Sequence, residues 1–333
     1  MTPHSLKRKT GKIFLFAALV IIVYGTLLPF PWEKHQLERC MTLLEHQYYY
    51  QLSAPNCDTL YFSGLKKEGF AGLTCHPAQA RQTVYGTAFW YSSFPLLHLC
   101  SGTLLTSTSI TSPETKTELP TKELKSWLKK QYSIHEQRLQ SIEKEENILS
   151  YYMATHNVID EGYNQMGEYQ KYYQQLYKDE QRIYTALGNI LHSGKGEIRC
   201  VSTFLVHSYT QDSVPTTDSC RIISSGNGIT KLQTLTLSMP EGSKCMGKHF
   251  LKTTWFAGEN ANRKAFLTAY HYGYIDSSSI SKARASSIQG RICKSKQGFT
   301  SSFPLLKGAE GGALTDSNGT LIGIVSHNSI LPY

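Results

Sequence analysis

The pattern of hydrophobic and polar positions changes character three times along this chain. From Ile13 to Trp32 no residue is charged, and IFLFAALVIIVYGTLLPFPW is twenty residues long, enough for a helix of about 30 Å across a hydrocarbon core. The run predicts a transmembrane segment over 13–32. Between Glu33 and Gln51, Leu37, Met41, Leu43, Leu44 and Tyr48 recur at loosely helical spacing and predict a short stalk helix. Ser53 to Arg81 mixes Gly, Pro and Cys without a period, so 33–83 reads as a stalk and a cysteine-containing connection.

From Val84 the pattern becomes short runs rich in Thr, Val, Tyr and Leu, such as VYGTAFWY, CSGTLLTSTSIT, IRCVSTFLVHS, LQTLTLSM and LIGIVS. Turn residues separate them, which predicts the strands of a barrel or sandwich. One long stretch interrupts this. After Pro120, Leu124, Trp127, Leu128, Ile134, Leu139, Ile142 and Leu149 recur mostly three to five residues apart, and Tyr169, Tyr172, Tyr173, Leu176, Ile183, Tyr184, Leu187 and Ile190 follow in similar spacing. Two helices joined near Asn157–Gly162 and ending before Gly194 would form an antiparallel hairpin, an insertion over 117–195 within a domain of 84–333.

Charge and cysteine usage add an address. The formal net charge is +9, but Lys7, Arg8, Lys9 and Lys12 carry four of those charges, leaving +5 for the rest without a basic block. Nucleic acid is therefore not an expected partner. Residues 1–12 read as a cytoplasmic basic tail, 13–32 as a signal anchor without a small-residue cleavage site, and all that follows as periplasmic or extracellular. All eight cysteines lie beyond Trp32, and an even count in an oxidising compartment predicts up to four disulfides. No C-x-x-C pair and no histidine at zinc-ligand spacing occurs, so neither structural zinc nor a cofactor is expected.

The densest local signal is Lys307-Gly308-Ala309-Glu310-Gly311-Gly312-Ala313-Leu314, followed by Leu321-Ile322-Gly323-Ile324-Val325-Ser326. It resembles the nucleophile loop and return strand of trypsin-like serine proteases, G-x-S-G-G-x-L and L-x-G-I-x-S. His98-Leu99-Cys100-Ser101-Gly102-Thr103-Leu104-Leu105 is similar to the strand leading to that family's histidine, and Thr254-Trp255-Phe256-Ala257-Gly258 to its S-G-W-G strand. The resemblance implies a mainly β double six-stranded barrel, with a helical hairpin inserted and a transmembrane helix in front. Gly308, Gly311 and Gly312 would shape an oxyanion loop. Matching L-T-A-A-H to Ile110–Glu114 puts Glu114 at the base position, or Thr115 on a gapless count, while Asp218 is the candidate orienting carboxylate.

Glu310 stands where the family has its serine, and neither Glu114 nor Thr115 is an imidazole. Serine-type hydrolysis needs a hydroxyl activated by an oriented imidazole, so the resemblance implies a pseudoprotease. Ala309 replaces the aspartate that pairs with a freed N-terminus in zymogen-activated relatives, and Phe303-Pro304-Leu305 falls at the floor of the specificity pocket. Few residues follow Ser326, which predicts a second barrel lacking its last strand. The function expected is binding of protein or peptide partners, through the hairpin 117–195 and the barrel cleft, by a domain held to a membrane through 13–32. Two alternatives are an active endopeptidase using His98, His207 or His327 with a serine outside the loop, and a Ca²⁺ site built from Glu114, Asp218 and Glu310.

Overall fold

The computed structural model describes residues 37–66, 69–92, 101–112, 121–209, 215–246, 263–269, 283–295, 298–305, 307–316, 321–327 and 329–332, with Phe16, Ala18 and Leu19. Except for these last three helical, exposed residues, the predicted span 13–32 lies outside the described residues. Among those described, no helix is long and apolar enough to cross a membrane. His98, Cys100, Glu114, Thr115 and the segment Thr254–Gly258 also lie outside.

The described strands are β1 (Met41–Ser53), β2 (Leu60–Phe62), β3 (Gly64–Lys66), β4 (Gly69–Ala71), β5 (Gln82–Trp90), β6 (Thr103–Ser107), β7 (Glu197–Ser208), β8 (Thr216–Gly226), β9 (Ile229–Thr234), β10 (Arg263–Ala269), β11 (Ser286–Ser295), β12 (Gly298–Ser301), β13 (Ala313–Asp316), β14 (Leu321–Ser326) and β15 (Ser329–Pro332). The long helices are α1 (Thr121–Thr155) and α2 (Tyr163–Ser193). The chain divides into two units, one of 1–46, 84–112 and 203–333 and one of 47–83 and 113–202.

In the first unit the strand order β1-β5-β6-β9-β8-β7 is closed by a β1–β7 pairing, giving a ring of six. A second ring, β10-β11-β12-β15-β14-β13, is also closed. The molecule is thus mainly β, and its closed barrel with a helical hairpin is consistent with the trypsin-like fold. The expected loss of the last strand is corrected. Ser329–Pro332 pairs with β14 across Val325↔Ile330 and with β12 across Phe299↔Ile330, so four residues after a tight turn suffice to close the ring.

The stalk helix is a second correction, because Met41–Ser53 is a barrel strand with its first six residues all buried. Met41 and Leu43 enter one core cluster with Phe89, Leu105 and Ile324, while Leu44 enters another with Trp90, Leu104 and Leu232. A strand covered on both faces shows no polar/apolar alternation, and its apolar run passes for a helix. The second barrel is filled by Leu267, Ile292, Phe303, Leu314, Val325 and Ile330. Phe303 therefore packs in a core, against Gly290.

In the second unit α1 and α2 form the predicted hairpin. Its turn is tied by Asp160 accepting from the Asn157 amide and by Asn157 accepting from the Ile159 amide. Gly162 before α2 and Gly194 after it are left-handed, at φ 82° and 62°, where residues with a Cβ are disfavoured. Leu124, Leu128, Ile183, Leu187 and Ile190 pack with Tyr50, Leu52, Leu60, Phe62 and Phe70. The stretch expected to be a plain connection is therefore a small β layer under the helices. Its strands of three residues are too short to display a period of two.

No disulfide is formed among the described cysteines, against the expectation of up to four. Cys57, Cys75 and Cys200 pack on the helical unit's core, while Cys40 and Cys245 are fully buried in separate clusters of the barrel unit. They sit as small apolar side chains.

Candidate functional site at the glycine loop

The loop resembling a protease nucleophile loop is a 3-10 turn, Lys307–Ala309, that leads through Glu310 into β13. Backbone bonds hold it from both barrels. The Gly312 amide donates to Ala309 O at 2.9 Å, the Gly311 amide to Val325 O at 2.9 Å, and the Thr87 amide of β5 to Glu310 O at 2.8 Å. Thr87 Oγ1 also donates to Gly308 O at 3.3 Å. Gly311 is required sterically: at φ +78°, a Cβ there would stand 1.9 Å from Thr87 O and 2.4 Å from Thr106 Oγ1. Ala309 is fully buried in the second barrel's core, where a charged side chain would be costly.

Glu310 sends its carboxylate toward the end of β6. There Ser107 caps a one-turn helix, Thr108–Thr111, by accepting from the Ser109 amide. Ser109 Oγ donates to Glu310 Oε2 at 3.2 Å. Ser109 and Ser107 hydroxyls lie 2.6 Å apart, and Ser107 Oγ donates to Ser326 Oγ at 2.7 Å. The result is a line of three hydroxyls ending on a carboxylate. Among the described imidazoles, the one at Glu310 is His327, whose Nδ1 is 3.9 Å from Oε1, beyond hydrogen-bond length, and whose side chain is 65% exposed.

Ser109 is the residue that sequence reasoning passed over. No local motif marks it, since it lies 201 residues from Glu310 in the chain. Asp218 stands on β8 opposite Val206 and accepts from Thr236 Oγ1. Its neighbour Cys220 has its thiol pushed up to about 12 by burial, with the Asp218 charge adding to the shift. Asp218 and Glu310 thus have separate partners, Thr236 for one and Ser109 for the other.

The remaining candidate base, His207, is buried. Its Nε2 lies 2.7 Å from Glu45 Oε2 and its Nδ1 3.0 Å from Thr217 Oγ1, its cross-strand neighbour. His46 lies nearby in sequence to Glu45, stacked on Phe204 at 4.5 Å with Nδ1 2.7 Å from Ile110 O. Burial lowers its pKa to about 4, against a raising effect from that carbonyl, so His46 is neutral at pH 7 and serves packing. Among the described residues, a group of three side chains fit to share a metal occurs once, at Cys75, His76 and Asp179 of the helical unit.

No family model matches this chain, and no curated protein does. Similar solved structures include the crystal structure of Deg5, 10% identical with a TM-score of 0.34 over 90% of this chain and 85% of that one. Another is the HtrA-type protease AlgW with a decapeptide, 11% identical with a TM-score of 0.35 over 90% of this chain and 62% of that one.

Proposed function

We propose that this chain is a non-catalytic trypsin-like protein that works by binding protein or peptide partners, held to a membrane through residues 13–32 with its main domains outside the cytoplasm. The observation that carries the loss of catalysis is the Ser109–Glu310 hydrogen bond. The two side chains facing each other at the glycine loop are a hydroxyl and a carboxylate, and among the described residues the imidazole beside them, His327, is 3.9 Å from Glu310, beyond hydrogen-bond length for activating a nucleophile. A fixed carboxylate there also opposes the negative charge that acyl transfer develops. Binding is supported by the distal end of the hairpin, where Ile148, Tyr151, Val158 and Ile159 are 62%, 73%, 69% and 93% exposed. Large apolar side chains grouped in this way mark interaction surfaces more often than isolated ones do.

A second reading, a hydrolase with displaced residues, rests on Thr217–His207–Glu45, which has the hydroxyl–imidazole–carboxylate order of a triad. A fluorophosphonate probe on the full-length chain separates the two. Absence of labelling is expected. Labelling that disappears in both Thr217→Ala and His207→Gln would replace the first reading by the second.

A further inference from the structure

In the helical unit, a sulfur, a nitrogen and an oxygen ligand converge from distant parts of the chain. Thr74 pairs with Tyr61 beside β2, and Cys75 and His76 follow it into a one-turn helix, Pro77–Ala80. Asp179 comes from α2. Its Oδ1 lies 3.3 Å from His76 Nε2 and 3.8 Å from Cys75 Sγ. All three ligand atoms lie within 4.8 Å of one another.

These separations can be compared with the edges of a zinc tetrahedron. Bonds of about 2.0–2.1 Å to nitrogen and oxygen and about 2.3 Å to sulfur give edges of roughly 3.3 Å between N and O and roughly 3.6 Å between S and O. The first matches the His76–Asp179 separation, and the second needs only a small inward movement of Cys75. The ligands are also oriented from outside. Thr74 Oγ1 accepts from the His76 amide at 3.1 Å while donating to Gln79 Oε1 at 2.7 Å, and Gln175 Nε2 donates to Asp179 Oδ1 at 3.1 Å. Such outer bonds hold ligands in a metal-ready pose.

We propose that Cys75, His76 and Asp179 bind a single Zn²⁺ ion, with solvent water as the fourth ligand. A thiolate, an imidazole and one carboxylate oxygen suit a borderline-soft ion and not Ca²⁺ or Mg²⁺, which take oxygen ligands. The side chains of His76 and Asp179 are 43% and 24% exposed, so the ion has a path in and water a place beside it. Without metal, burial and the Asp179 charge raise the Cys75 pKa and Arg182 works in the other direction. On binding, the S–H bond breaks, the S–Zn bond forms and the proton leaves to solvent. The ion would clamp the Thr74–His76 segment to α2, independently of whether the glycine loop is catalytic.

The test is a Co²⁺ titration of the full-length, reduced, metal-free chain. One equivalent should produce the intense visible bands of tetrahedral cobalt and a near-ultraviolet sulfur-to-cobalt band, both removed by Zn²⁺. Cys75→Ser should lose the sulfur band, and His76→Ala and Asp179→Asn should each weaken binding by about tenfold or more. Cys57→Ser and Cys200→Ser, which alter other thiols of the same unit, should leave the spectrum unchanged. A sulfur band that survives Cys75→Ser, or a weak octahedral spectrum in the parent chain, would overturn the proposal. Should Cys75→Ser fail to fold, Asp179→Asn decides, since unchanged Co²⁺ affinity there also overturns it.

Discussion

The barrel unit and the helical unit hold their polar side chains in opposite ways. In the barrel unit the groups that resemble catalytic parts are immobilised: Glu310 is bonded through its carbonyl to Thr87 and through its carboxylate to Ser109, and His207 is buried between Glu45 and Thr217. In the helical unit His135 and Glu180 pair inside the hairpin, yet Asp179 and His76 stay half open to solvent and the hairpin's far end presents bare apolar side chains. The difference teaches that tightly held polar contacts and solvent-reachable ligand groups occur in different units, while exposed apolar side chains occur in both, the barrel unit presenting Ile222, Ile223, Leu235 and Leu237.

The sharpest way to test that contrast is to disturb the close approach in the barrel. Gly311→Ala should destabilise the barrel unit by about 4 kcal/mol, because its Cβ would meet the Thr87 carbonyl from a left-handed backbone. Gly226→Ala, with nothing within 4 Å of the added carbon, should change stability by less than about 0.5 kcal/mol. Denaturant unfolding, followed by hydrogen exchange on barrel peptides, reads both, and equal effects would mean that the loop is not tightly held.

In the helical unit the corresponding dependence is on apolar packing. Leu187 is fully buried on α2, and Leu187→Ala should cost about 3 kcal/mol by leaving a cavity. Loss of exchange protection should appear in α1 and α2 peptides. A cost below about 1 kcal/mol would show a loosely packed hairpin base able to collapse around the gap.

Acid should act on the barrel unit through His46. Its pKa falls from 6.5 to about 4 on folding, so the unfolded chain takes up the proton first. This contribution to stability is complete above pH 6.5, is lost as pH falls toward 4 and levels off below that. Between pH 7 and pH 5 the loss should be about 2 kcal/mol. The stability difference between the parent chain and His46→Gln should shrink by about that amount over the same interval, and a constant difference would contradict the burial of a neutral ring.

The smallest stability effect is expected where the interaction surface is proposed. Tyr151→Ser and Ile159→Ser should each alter unfolding by less than about 0.5 kcal/mol. Because both residues are exposed at the hairpin end, the same variants should lose binding to whatever partner the intact hairpin captures. Unchanged capture would move the interaction surface away from the hairpin tip.

Much of the barrel was legible because short runs rich in Thr, Val, Tyr and Leu alternate with turn residues. The hairpin was legible because helices of 35 and 31 residues leave a long record of the 3.6 period. The glycine loop was legible at Gly311, where the backbone admits no side chain. The partner of Glu310 was not, since a serine 201 residues away carries no local mark of that contact.

By itself, then, the sequence determined a β domain with a helical insertion and the glycine spacing of Gly308–Gly312 with Glu310 inside it, all of which depend on residues close together in the chain. Tertiary structure alone decided that Met41–Ser53 is a barrel strand, that β15 closes the second ring, and that Ser109 meets Glu310. It also decided that Asp179 meets Cys75, 104 residues away. The physical reason is the same in each case. Burial on both faces, ring closure and convergence of ligands are set by partners distant in sequence, and a local period carries no record of them.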